Sequence, residues 1–114
     1  MALGHALWRR AAGLAGASAV AAGAYGAHGL HVEDESFVQT YQNGKNLHMI
    51  HSVMVAVGPL VARWPHVTGA LFSTGIALFS GSCYVTALTE DRSWGRLAPI
   101  GGSTLILAWL SLVP

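Results

Sequence analysis

The chain has 114 residues, of which 53% are hydrophobic and only 10% are charged. Globular domains average roughly 25% charged residues, so the shortage of charge sets this composition apart. A net charge of +1 and the single cysteine, Cys83, exclude a disordered chain, a basic nucleic-acid-binding domain and a disulfide-stapled secreted domain.

The charged residues divide the chain into four uncharged runs: 11–32, 46–62, 64–89 and 97–114. A membrane-spanning helix needs roughly 17–25 mostly apolar residues, and the shortest of these runs has 17. A soluble helical domain would need polar residues on the outer face of each helix. The sequence therefore predicts an all-α, polytopic membrane protein: an antiparallel bundle of four transmembrane helices with short loops, forming a single domain.

The first predicted span, about 11–30, consists mostly of alanine and glycine. Small residues recur four apart along it, so that another helix can approach closely in lipid. We therefore expect this helix at the centre of the bundle, with Gly16, Gly23 and Gly26 at helix contacts.

The N-terminus also allows two targeting interpretations. Arg9 and Arg10, followed by an apolar run with Ala-x-Ala triplets, resemble a signal peptide. The same arginines, with no acidic residue before Glu33, resemble a mitochondrial presequence. We prefer a first span that is retained.

Residues 36–46 predict a short amphipathic helix that leads into the second span, about 47–62. Ser36 and Gln39 have the spacing of a capping box, in which two side chains bond the orphan amides at a helix start. Pro59 lacks a backbone donor, so we expect the second helix to kink or end near it.

The third span, about 67–88, and the fourth, about 97–113, complete an up-and-down path. Small residues four apart, including Gly81, predict a packing face on the third span. Gly101 and Gly102 predict a close contact for the fourth. Such faces suit lipid, where van der Waals packing drives helix association.

In this topology most of the unusual polar residues lie near one membrane face. His48 and His51 are three residues apart and share a helix face, and we expect His28 and Tyr84 beside them. Three interpretations of this candidate polar site stay open: neutral histidines in structural hydrogen bonds, a pocket for a lipid or quinone headgroup, and a metal site. The first is our expectation, with no bound metal.

Motifs for catalysis or cofactor binding do not occur in the sequence. It has no phosphate-binding loop, dinucleotide fingerprint, paired-cysteine motif or acidic run with metal spacing. We therefore expect no enzymatic activity, no catalytic residue and no cofactor. The expected partners are membrane lipids and other membrane protein subunits or a second copy of the chain, and no nucleic acid.

Five short motifs occur in order along the predicted spans. They are Gly23-Ala24-Tyr25-Gly26-Ala27-His28-Gly29, His48-Met49-Ile50-His51-Ser52, Leu78-Phe79-Ser80-Gly81-Ser82-Cys83-Tyr84, Ala98-Pro99-Ile100-Gly101-Gly102 and Ala108-Trp109. Together they resemble the transmembrane protein 256 family, also called domain of unknown function 423, with members in bacterial inner membranes and in animals. The resemblance places His28, His51, Tyr84, Pro99 and Gly101 on motif positions.

The resemblance implies a subcellular location but no established activity. The arginine-rich start and the length resemble the animal branch, which implies the mitochondrial inner membrane; a prokaryotic source would imply the bacterial inner membrane. We expect a non-enzymatic accessory or assembly subunit of a larger inner-membrane complex. The alternative is a protein that handles an ion, a proton, a small molecule or a lipid headgroup through His28, His48 and His51.

Overall fold

A computed structural model describes residues 2–114 of the chain, and these residues are all-helical, without a strand. The α-helices are α1 (Ala2–His28), α2 (Glu35–Val61), α3 (Pro65–Thr89) and α4 (Ala98–Leu110). A short 3-10 helix, Arg92–Leu97, precedes α4. The prediction of an all-α protein with four main helices is confirmed.

Two helices start earlier than the predicted spans. α1 begins at Ala2 rather than near residue 11, since Arg9 and Arg10 favour helix and lie exposed on its surface. Residues 36–46, predicted as a short helix that leads into the second span, form the first turns of α2 without a break. Gly44, the residue in that stretch that most disfavours helix, lies against α3, where a Cβ would collide with Cys83.

The N-terminus of α2 is capped by a different residue from the one predicted. Asp34 is the N-cap, and its carboxylate accepts a hydrogen bond from the backbone N–H of Ser36 at 2.9 Å. Gln39 donates to Asn43 instead of closing a capping box. The bond from the Ser36 backbone amide lowers the pKa of Asp34, because it stabilises the ionised carboxylate.

α2 and α3 pack along a regular seam. The buried residues of both helices recur at steps of three and four, which places one stripe of each helix against its neighbour. Pro59 lies inside the last turn of α2, which ends two residues later at Val61. The seam of α2 consists of Phe37, Tyr41, Gly44, His48, His51, Ser52, Val55, Gly58 and Pro59.

The central helix is α3 rather than α1. α3 packs against α2 on one side and α4 on the other, whereas α1 packs almost entirely on α2. The alanines and glycines of α1 offer little side-chain volume to a second neighbour, and its outer residues Gly13, Ala17, Ala21 and Ala24 are exposed. The helices therefore lie in chain order, in a flattened molecule with extents of 48 × 25 × 16 Å.

The largest apolar cluster lies where α2, α3 and α4 meet. Val55, Phe72, Ile76, Leu105 and Ala108 are its buried residues. Phe72 has no exposed surface, and its ring centroid lies 5.4 Å from that of Trp109, which the ring meets edge-on. This cluster holds the C-terminal half of α2 and the N-terminal half of α3 against α4.

In the described chain, α3 is the one helix that is by itself long and apolar enough to cross a membrane. α1 is diluted by small residues, and α2 carries Lys45, Asn46 and two histidines. α4 has 13 residues, fewer than the roughly 17 that a span ordinarily needs. By length and composition, three of the four predicted spans do not qualify alone.

Candidate functional site

His48 lies where α1, α2 and α3 meet, and both of its ring nitrogens have partners. Nδ1 is 2.7 Å from the Tyr84 hydroxyl, and Nε2 is 3.1 Å from the Ser18 hydroxyl. Ser18 donates its own proton to the carbonyl of Ala15, so its oxygen accepts from His48. These partners assign a neutral ring protonated on Nε2, with Tyr84 donating to Nδ1.

Tyr41 extends this network along α1. Its ring centroid lies 5.1 Å from that of Tyr84, and its hydroxyl donates to the carbonyl of Ala22. Gly26 provides the space for the Tyr41 ring, which a Cβ at position 26 would overlap. Hydrogen bonds, together with the ring contact between Tyr41 and Tyr84, therefore join the first three helices.

His51 has its partners on the other side of α2. Nδ1–H donates to the carbonyl of Leu47 at 2.6 Å, and Nε2 accepts from the indole N–H of Trp109 at 3.0 Å. The His51 ring also lies beside that of Phe72. Residues three apart differ by about 60° around a helix, so that His48 faces α1 and α3 while His51 faces α4.

The predicted cluster of three histidines is therefore not assembled. His28 ends α1 and is exposed, whereas His48 and His51 are buried and bonded to different helices. Within residues 2–114, no group of three or more His, Cys, Asp or Glu side chains could hold a metal ion. Of the four predicted site residues, the structure brings His48 and Tyr84 together.

The glycines at helix contacts differ in how closely the neighbouring helix approaches. Gly101 lies against the backbone of Phe79, which a Cβ would overlap, so α3 and α4 touch there without side chains between them. A Cβ on Gly23 or Gly102 would make ordinary van der Waals contact. A Cβ on Gly69, on the predicted packing face of the third span, would overlap the Trp8 ring. Three glycines that were not predicted would also carry a Cβ into a neighbouring helix or its side chains: Gly44, Gly58 and Gly75.

Gly16 and Gly81 border open grooves, and a Cβ at either would meet no atom within 4 Å. The α1–α3 groove has a volume of about 410 Å³ and is lined by residues that include Ala15, Ser18, His48, Ser73, Gly81 and Tyr84. The α1–α2 groove has a volume of about 400 Å³ and is lined by residues that include Ala12, Gly13, Gly16, Val20, Met49 and Val53.

Three residues that take part in the hydrogen bonds around His48, His51 and Tyr84 were not predicted: Ser18, Tyr41 and Trp109. Tyr41 had a signal in the sequence, since it lies seven residues before His48 and a heptad repeat places both on one face. Ser18 and Trp109 had none, because their pairing depends on how each helix is rotated against α2.

Replacing Tyr84 by phenylalanine should lower the free energy of unfolding in detergent by about 0.5–2 kcal/mol. The change removes the hydroxyl and leaves Nδ1 of the buried His48 without its 2.7 Å partner. Thermal unfolding followed by circular dichroism measures the loss. Tyr25→Phe is the matched control, because Tyr25 is exposed; equal losses in the two variants would contradict the role of the Tyr84 hydroxyl.

Comparison with known proteins gives one family and several bacterial relatives. The family profile described as "Protein of unknown function (DUF423)" matches residues 22–102, a range that contains His48, His51 and Tyr84. The UPF0382 membrane protein SH2409 of Staphylococcus haemolyticus is 32% identical over 83 residues, covering 69% of this chain and 68% of the relative. The UPF0382 membrane protein YwdK of Bacillus subtilis is 33% identical over 85 residues, 69% of each chain.

The name of a third relative specifies the inner membrane. The UPF0382 inner membrane protein YgdD of Escherichia coli is 32% identical over 60 residues, covering 53% of this chain and 46% of the relative. No solved structure matches the chain. The similarity therefore extends to proteins named as membrane proteins in both staphylococci and Escherichia coli.

Proposed function

Because the chain belongs to the family of unknown function DUF423 and its similar relatives are named membrane proteins, we propose that it is a non-enzymatic, multi-pass membrane protein. We further propose that it acts as an accessory or assembly subunit of a larger inner-membrane complex. Four features support these proposals: the apolar side chains on the outer surface, the contacts that hold α1 to the other helices, the hydrogen bonds of His48 and His51, and the uncovered groove between α1 and α2.

Outward-facing apolar side chains support four membrane spans. Leu60 on α2, Leu88 on α3 and Ile106 on α4 are large and exposed, and exposed apolar side chains on every one of these helices suit hydrocarbon better than water. Hydroxyls on α4 bond carbonyls of their own helix, so they need no water. α4 is about 20 Å long at 1.5 Å per residue, a length that local thinning of a bilayer accommodates.

Several contacts support the retention of α1. The Trp8 indole N–H donates to Nδ1 of His66 at 3.1 Å, and the Trp8 ring covers Gly69. At the other end of the helix, Tyr41 bonds the carbonyl of Ala22. Cleavage of α1 as a targeting peptide would remove the partner of the buried Tyr41 hydroxyl and uncover Gly69 of α3.

The hydrogen bonds of His48 and His51 support a structural rather than a catalytic role for both residues. His48 and His51 each use both ring nitrogens in hydrogen bonds within the chain. A general base needs a ring nitrogen that is available to a substrate, and these two rings hold helices together instead. The candidate polar site is thus a set of interhelical bonds in this proposal.

The α1–α2 groove carries the proposal of a partner subunit. It lies on the outer face of the molecule, is lined by small residues such as Gly13 and Gly16, and is covered by no other helix of the chain. A helix that faces lipid ordinarily carries larger side chains, whereas small residues allow a partner helix to approach closely. A transmembrane helix of another subunit or of a second copy would fit this groove.

The inner membrane is the proposed address. The relative YgdD is named an inner membrane protein, and the relatives reported above are bacterial. The mitochondrial inner membrane is supported only by Arg9, Arg10 and the lack of acidic residues before Glu33. Membrane fractionation of the source cell distinguishes the two addresses.

A native gel of membranes in mild detergent tests the partner. The tagged protein should migrate within a complex several times its own mass. Gly16→Leu fills the α1–α2 groove and should shift most of the protein to the free form, whereas the matched control Gly81→Leu, in the α1–α3 groove, should leave the complex intact. Migration of the unmodified protein as a free monomer, or release by both substitutions alike, would contradict the proposal.

A further inference from the structure

A small pocket with both polar and apolar lining residues lies beside the 3-10 helix, at the end of the molecule where α2 begins and α3 ends. Its volume is about 250 Å³, and its lining includes Thr40, Asn43, Cys83, Thr86, Arg92 and Gly95; we call it the loop-end pocket. Its residues come from α2, α3 and the 3-10 helix at one level of the molecule. It is separate from the two grooves and from the contacts of His48 and His51.

Thr86 is the first sign that the pocket takes a ligand. Its side chain is almost completely buried, with 2% of the residue exposed, and its hydroxyl has no hydrogen-bond partner among the described residues. A buried hydroxyl without a partner is costly, so native structures rarely keep one. Gly95 lies next to the Thr86 hydroxyl and has no side chain that would fill the space beside it. A Cβ at position 95 would lie 3.8 Å from the Thr86 oxygen.

Arg92 supplies a positive charge at the edge of the same pocket. Its guanidinium donates to the hydroxyls of Thr40 and Ser36 and lies over the ring of Phe37 at 4.2 Å. These contacts use two of its five N–H donors and hold the group in one orientation. The remaining donors are available to a ligand.

No carboxylate belongs to the lining of the pocket. The nearest acid in sequence, Asp91, directs its carboxylate to the backbone N–H and the hydroxyl of Ser93 at 2.9 and 2.7 Å. Asn43 adds a carboxamide whose oxygen accepts from Gln39, which leaves its N–H₂ group as a donor. The polar groups of the pocket are therefore mainly donors around a cation.

From this arrangement we propose that the loop-end pocket binds a phosphate-type anion, with Arg92 as the charged anchor and Thr86 as a hydroxyl donor. A guanidinium held in a fixed orientation matches the geometry of a phosphoryl group. Because the pocket lies at a helix end in a member of a membrane-protein family, the phosphate of an anionic phospholipid is the source we favour. This site is independent of the partner subunit proposed above.

Binding of short-chain phosphatidylglycerol to the purified full-length protein in neutral detergent tests the proposal. The lipid should raise the midpoint of thermal unfolding in a saturable way, and short-chain phosphatidylcholine, whose choline offsets the phosphate charge, should do so more weakly. Arg92→Gln should weaken binding by about tenfold or more, because it removes a charge-assisted hydrogen bond. Arg96→Gln is the matched control, since Arg96 lies exposed on the same 3-10 helix.

Thr86→Val distinguishes a ligand-binding role of Thr86 from a purely structural one, because the two measurements below should change in opposite directions. In the absence of lipid the variant should unfold at a higher temperature, because an unpaired buried hydroxyl is replaced by a methyl group. In the presence of phosphatidylglycerol it should bind about fivefold more weakly, because one hydrogen bond to the anion is lost.

Three results would overturn the proposal: no stabilisation by either phosphatidylglycerol or inorganic phosphate, equal losses in Arg92→Gln and Arg96→Gln, or unchanged binding by Thr86→Val. Inorganic phosphate serves as the second probe. Stabilisation by inorganic phosphate with the same dependence on Arg92 and Thr86 would support the anion site and identify a free anion as its source.

Discussion

Replacing Gly101 by alanine should lower the free energy of unfolding by about 3 kcal/mol, which is enough to deplete the folded protein. The added Cβ would overlap the backbone nitrogen and Cα of Phe79. Backbone atoms in the middle of α3 cannot move aside as a flexible side chain can, so the two helices would have to separate. Thermal unfolding of the purified protein in detergent measures the effect.

Gly102→Ala is the matched control for Gly101→Ala. Its Cβ would meet only an edge carbon of the Phe79 ring at 3.8 Å, and alanine favours helix over glycine by about 0.5–1 kcal/mol. The control should therefore be as stable as the unmodified protein or slightly more so. Equal responses at the two neighbouring positions would contradict the backbone contact between α3 and α4.

Replacing Phe72 by alanine should lower the free energy of unfolding by about 3–5 kcal/mol. Phe72 has no exposed surface, and its ring lies beside that of His51 and meets the Trp109 ring edge-on. Its loss would leave a cavity between α2, α3 and α4, and would loosen the hydrogen bond from Trp109 to His51.

Ile106→Ala is the control for the Phe72 variant. This substitution removes a large apolar side chain from the outer surface of α4, where Ile106 is 62% exposed. It should change the free energy of unfolding by no more than about 0.5 kcal/mol. Chemical unfolding of both variants, followed by tryptophan fluorescence, makes the comparison. A Phe72 variant as stable as the Ile106 variant would contradict the position of the core.

The number of main helices and the course of α3 could be predicted because both depend on local features. Arg63 and the Glu90-Asp91-Arg92 run bound the third uncharged stretch, and the helix in the structure extends only slightly beyond the predicted 67–88, to Pro65–Thr89. α1 begins before the predicted span of about 11–30, since a charged residue ends an apolar run without ending a helix. Arg9 and Arg10 continue the helix with their side chains exposed.

The partners of the buried polar residues could not be predicted from local features. Spacing places His48 and His51 on one broad face of α2, but their separate partners depend on the rotation of α1, α3 and α4 against that face. Thr86 is a similar case, because a threonine in a helix can always bond the carbonyl four residues earlier. Only the packed structure shows that this hydroxyl is left without a partner.

The packing of the helices in chain order determines how disturbances spread through the molecule. The backbones of α1 and α4 do not approach one another, so the influence of either helix on the other passes through the side chains and helices between them. Perturbations of elements that share partners are generally not additive. Trp8 and Ala15 of α1 pack on the same apolar cluster that holds Leu105 and Ala108 of α4, so a change in one outer helix should alter the stability of the other through this shared cluster.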